Sequence, residues 1–190
     1  MQFGTRQSIH GVANMQNEQV KQCCEKMWGI LCQIPDIEIV SKLDLECEVK
    51  VFKHDPLEKI HCYYKCQNRL WTQNYILNFL VEKKVNMVDG SIHIIYKNGH
   101  MMWYSVQKGL QKIIQELNDN YILETKVKCF LDLGGDVQLQ IKNANVYIEL
   151  SMLPGSITKF IIPPVVHFVT PNKEEILLSF QIMQILQCIV

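Results

Sequence analysis

IHIIYKNGHMMWYSVQKGLQKIIQEL, residues 92–117, changes its hydrophobic period halfway along. Its first half alternates around Asn98–Gly99. Asn-Gly is the strongest short signal for a two-residue hairpin, because a type I′ turn needs positive φ at both central residues. That turn pairs Lys97 with His100, Tyr96 with Met101, and Ile94 with Trp103. Ile94, Tyr96, Met101 and Trp103 are then expected on one face, the core face. After Ser105 the spacing becomes helical: Val106, Leu110, Ile113, Ile114 and Leu117 form a stripe that ends at Asn118–Asn120. A hairpin running into a helix implies an α+β domain with helices laid across a largely antiparallel sheet.

Working outward, residues 17–34 read as a helix, with Val20, Cys24, Met27, Trp28 and Leu31 as its apolar stripe and Pro35 as its stop. SKLDLECEVKVF, residues 41–52, alternates strictly and reads as one half-buried strand. KIHCYYKC and RLWTQNYILNFLV read as further strands broken at Gln67–Asn68. YILETKVKCFLDL, residues 121–133, also alternates and is expected to be a strand, with Gly134–Gly135 as its turn. DVQLQIK and NVYIELSML continue a meander, and ITKFII is a short strand ended by Pro163–Pro164. Asn172 followed by Glu175 resembles a capping box that opens a last helix at about Lys173. The expected fold is therefore α+β, with three helices packed on largely antiparallel sheet. A loose arm spans 1–16 and one domain spans 17–190. Helix-plus-three-strand patterning suggests halves at 17–105 and 106–190.

Composition limits the function. The 190 residues are 48% apolar and 20% charged, which suits a globular chain able to bury its own core. Lys+Arg and Asp+Glu balance at 19 each, which counts against a nonspecific nucleic-acid binder. The start, MQFGTRQSIHGVANMQNEQ, is polar, and no apolar run reaches the length of a membrane span. With no secretory start, the eight cysteines are expected as thiols in cytosol or nucleus.

Five groups of residues could carry chemistry. His61, Cys62 and Cys66 have zinc-like composition. On a strand, however, Cys62 and Cys66 stand ~13 Å apart, too far for one ion. Cys23–Cys24 lies on the first helix stripe and reads as packing. Asp36, Glu48 and Lys50 match the pattern of PD-(D/E)xK nucleases, in which two carboxylates hold a divalent cation and a lysine assists water. The competing reading is the solvated face of a strand. His10, His54, His61, His93, His100 and His167 show no ligand spacing, and no nucleophile elbow or phosphate loop occurs. Lys108, Lys112, Lys126, Lys128 and Lys142 beside Tyr121 and Tyr147 could form a local nucleic-acid patch.

The last helix is apolar nearly all round. Leu177, Phe180, Ile182, Met183, Ile185, Leu186 and Ile189 exceed what a single sheet can cover, so the surplus is expected to bury against another protein chain. The resulting reading is a non-enzymatic interaction, scaffold or oligomerisation domain, working as a homodimer or with a heteromeric partner. It needs no cofactor, metal or membrane. The nuclease and the nucleic-acid patch are the alternatives.

Overall fold

The computed structural model describes residues 18, 21–35, 37–42, 46–51, 59–69, 72–152, 165–168 and 171–190. The arm expected over 1–16, Asp36 and the strand expected at 157–162 lie outside them. The fold is α+β. Helix α1 covers residues 21–31. Strands β1 (Ile37–Lys42), β2 (Glu46–Val51), β3 (Ile60–Arg69), β4 (Thr72–Lys84), β5 (Gly90–Lys97) and β6 (His100–Tyr104) follow. After a 3-10 turn at Lys108–Leu110 come α2 (Gln111–Asp119), α3 (Tyr121–Asp132), β7 (Gly135–Lys142), β8 (Asn145–Met152), β9 (Val165–Phe168) and α4 (Lys173–Ile189).

The strands form one 9-stranded sheet in the order β1-β2-β3-β4-β8-β7-β5-β6. Strand β4 is long enough to pair two partners along one edge, β9 in parallel at Thr72–Tyr75 and β8 antiparallel at Leu77–Lys84. The β4–β8 pairing carries the sheet across the point where the two halves were expected to divide.

The 98–99 hairpin has the expected register, with Asn98 and Gly99 at φ 53 and 81°. Met101 and Trp103 are buried as expected, but Tyr96 is 64% exposed. A second two-residue turn joins β7 to β8, with Asn143 and Ala144 at φ 53 and 59°. Positive φ is costly for alanine. The Ala144 carbonyl accepts from the Val85 N–H at 2.9 Å, and the Asn143 N–H donates to Asp89 Oδ1 at 3.0 Å, which ties the turn to the β4–β5 connection.

Three expectations need correction. Residues 121–132 are helix α3, not a strand. Leu123, Val127 and Leu131 fit both a period of two and a helical stripe, because every fourth residue belongs to both. The caps decide. Asn120 accepts from the Leu123 N–H at 2.9 Å, and Gly134, at φ 82°, ends the helix with its N–H on the Leu131 carbonyl. The alternating run at 41–52 is shared between β1 and β2, which pair as a hairpin with Lys42 opposite Cys47. Gln67 and Asn68 lie inside β3, and the chain reverses between Arg69 and Thr72.

One sheet face is apolar. Cys62, Tyr64, Leu77, Phe79, Val81, Val137, Leu139, Ile148 and Leu150 alternate inward on adjacent strands. Helices α3 and α4 cover them, with Phe79 and Phe180 meeting edge to face at 5.7 Å between centroids. Helix α1 adds Cys24, Met27 and Leu31 to the same core, and the Lys42 ammonium sits 3.6 Å from the centre of the Trp28 ring.

Candidate functional site

The apolar surplus of α4 is covered within the chain. Phe180, Ile182, Met183 and Leu186 are buried, and Leu177, Ile185 and Ile189 are partly buried against the core. The helix needs no second chain for this. The missing cover is α3. Once residues 121–132 are a helix, α4 has the sheet beneath it and α2 and α3 beside it. Lys126 Nζ donates to Gln181 Oε1 at 2.6 Å across the α3–α4 contact. At the far end, Lys83 Nζ donates to the carbonyls of Gln187 (2.9 Å) and Val190 (3.0 Å), placing a cation where the helix dipole is negative.

The other candidates do not assemble into a site. Glu48 and Lys50 occupy β2 register positions opposite His61 and Glu38 respectively, and their side chains lie outside the description. Among the described residues no group of three or more His, Cys, Asp or Glu could hold a metal ion. No disulfide joins the described cysteines. Burial pushes the Cys23 thiol up despite the nearby Lys26, so it is held as a thiol rather than an activated thiolate. Three of the five lysines of the expected patch have side-chain neighbours. Lys128 pairs with Glu124 at 2.5 Å, Lys112 lies 4.0 Å from Glu116, and Lys126 is bonded to Gln181. Tyr147 donates to Glu82.

What stands out is a fork in the sheet. Strands β5 and β7 pair only at Gly90–Ile141, Ser91–Gln140 and Ile92–Leu139. Beyond Ile92, β5 stays with β6 while β7 stays with β8. A cavity of about 460 Å³ opens between them. Its helix side is apolar: Ile92, Ile94, Tyr96, Leu131, Val137 and Leu139. Its outer side is polar: Ser91, His93, Asp136, Gln138 and Gln140.

The two tight turns fix which backbone groups face the gap. In an antiparallel ladder, pairs that exchange both hydrogen bonds alternate with pairs that exchange none. The pair flanking a two-residue turn exchanges both. Counting back from Lys97–His100, the N–H and C=O of Ile94 and Tyr96 point away from β6, as do those of Met101 and Trp103 away from β5. Trp103 confirms the count. Its N–H donates to Asn118 Oδ1 at 2.8 Å, and its C=O accepts from Asn118 Nδ2 at 3.1 Å. Counting back from Lys142–Asn145, the groups of Val137 and Gly135 point away from β8. Ile94 and Tyr96 on one wall therefore face Val137 and Gly135 on the other, each presenting a donor and an acceptor.

The hairpin beside the fork is also apolar outside. Ile95 pairs Met102 and His93 pairs Tyr104 on its outer face, and all four are exposed, Tyr104 at 48%. No helix among the described residues is long and apolar enough to cross a membrane.

Residues 35–190, from just before β1 to the end of α4, match the model of the family described as Protein of unknown function (DUF3156), and the chain belongs to that family. The fork lies wholly within the matched region. No curated protein and no solved structure matches the chain.

Proposed function

We propose that this chain is a non-enzymatic protein–protein interaction module that binds another protein chain through the β5–β6 hairpin and the fork beside it. The observation that carries the reading is the contrast between two edges of the same sheet. At Trp103 the terminal edge is closed by the Asn118 side chain, whereas the inner edges of β5 and β7 have ladder positions facing a cavity with no strand partner among the described residues. Open strand edges are a standing invitation to another strand, and natural sheets close the ones they do not use. The exposed Ile95, Met102 and Tyr104 add apolar surface next to that opening. Thiols outside disulfides accord with a cytosolic or nuclear setting.

A photocrosslinking amino acid tests the reading. Placed at Tyr104 and at Tyr96, it should give a discrete adduct in native extract, and placed at Lys65 on the far part of the sheet it should give none. Met102→Asp should abolish the adduct with an unchanged melting temperature. Adducts at all three positions alike, or at none, would refute it.

A further inference from the structure

We infer that the fork binds an extended peptide segment as an added strand between β5 and β7, one with apolar residues toward the helices and polar residues outward. This rests on the interaction reading above and names its ligand class. The part of the fork without a strand partner across the gap, among the described residues, spans His93–Lys97 on β5 and Gly135–Gln138 on β7. At ~3.3 Å per residue that is about 13–17 Å of strand, enough for four or five residues. The ladder positions of Ile94, Tyr96, Val137 and Gly135 supply the main-chain partners, as in other cases of strand addition.

The walls dictate the side chains. Successive residues of an inserted strand point to opposite faces. Those pointing to the helix side meet Ile94, Val137 and Leu131, an apolar surface that favours valine, isoleucine or an aromatic residue. Those pointing outward meet His93, Gln138 and Asp136, whose exposed carboxylate favours a cation opposite it. Because β5 and β7 run antiparallel, the segment is parallel to one wall and antiparallel to the other. It enters at the Tyr96–Gly135 end, since Ile92–Leu139 closes the other.

The probe is a library of acetylated, amidated heptapeptides, with Val, Ile or Phe alternating with Lys, Thr or Gln. Each peptide has a twin methylated at alternate backbone nitrogens. Amide exchange is read on the full chain. The expected result is a tenfold or greater slowing at Ile94, Tyr96, Gly135 and Val137 with the best peptide, and none with its methylated twin, which loses every donor toward one wall and carries methyl groups there that block the close approach of that strand. Leu131→Arg should abolish the protection while leaving the melting temperature within a few degrees. If that variant fails to fold, the twin peptide still decides. Protection that survives methylation, or that falls on the β6 edge, would overturn strand insertion. If no peptide binds but the Tyr104 crosslink persists, strand insertion fails and the interaction reading stands. If both are absent, both fail.

Discussion

Two adjacent glycines begin the β7 wall of the fork, and they should respond to substitution in opposite ways. Gly134 has φ 82° and open space where a Cβ would go. Gly135 has no such φ, but a Cβ there would lie 2.3 and 2.4 Å from Phe130 ring carbons and 2.7 Å from the Phe130 carbonyl oxygen. Phe130 is fully buried, so its ring cannot swing away, and the carbonyl belongs to the last turn of α3. Overpacking of this kind costs typically 1–3 kcal/mol, and contact with a fixed backbone atom puts Gly135→Ala at about 3 kcal/mol. At roughly 2–4 °C per kcal/mol for a domain of this size, the melting temperature should fall by about 6–12 °C. Gly134→Ala should cost roughly 1–2 kcal/mol through backbone conformation alone. Asparagine separates the causes. It tolerates the left-handed region, so Gly134→Asn should be nearly neutral, whereas Gly135→Asn should be at least as harmful as Gly135→Ala. Phe130→Leu should soften the effect of Gly135→Ala only partly, because the carbonyl remains. Equal losses for the two asparagine variants in urea or thermal melts would refute the close approach of α3 and β7 on which the shape of the fork depends.

Three further outcomes are expected. Lys83→Met removes the two bonds to the α4 C-terminal carbonyls and should cost about 1–2 kcal/mol, seen as a lower urea midpoint with an unchanged slope. Asn118→Ala uncovers the β6 edge at Trp103; it should cost about 1–2 kcal/mol and produce concentration-dependent self-association in sedimentation, which the native chain should lack. Burial, then the hydrogen bond to Glu149 at 2.9 Å, pushes the Tyr63 phenol well above its ordinary value. The folded state thus holds a proton that the unfolded chain gives up near pH ~10, so this contribution is fully present below that pH and is lost as pH rises through the folded value. Alkaline melts should show that decline, and Tyr63→Phe should flatten it.

The parts of the fold that local chemistry dictates were legible in the sequence. Asn98–Gly99 fixed a register, Asn172 and Glu175 form both halves of the capping box, and the stripe from Ile113 to Leu117 is buried as its spacing requires. The α3 segment was not legible from alternation. Phe130 breaks the period of two, and the pair Asn120 and Gly134 has the chemistry of helix caps, so the signal is present in the two residues that bound the segment. That one misreading created the apparent need for a partner at α4. With a strand in place of α3, one flank of α4 lies bare, and each uncovered side chain forgoes ~1.5–3 kcal/mol. With the helix in place, Phe180, Ile182, Met183 and Leu186 are covered from inside the chain.

The fork was not legible at all, because it depends on where pairing stops rather than on where strands exist. Residues 93–97 and 135–138 look like ordinary paired strand, and each is paired, but with its outer neighbour only. The consequence concerns selectivity. An exposed terminal edge accepts any flat sheet edge that approaches it, including that of a second copy, and this chain spends the Asn118 amide on closing that position. The edges within the fork are recessed between two flanking hairpins. A folded sheet brings its own neighbouring strands and cannot follow its edge strand into the gap. A single extended segment carries no such bulk. On the strand-insertion reading, the fork therefore discriminates by shape before it discriminates by side chain, favouring an unstructured stretch of a partner over any preformed sheet, and the ordering of that stretch sets the free-energy cost that its main-chain bonds to Ile94, Tyr96, Gly135 and Val137 must exceed.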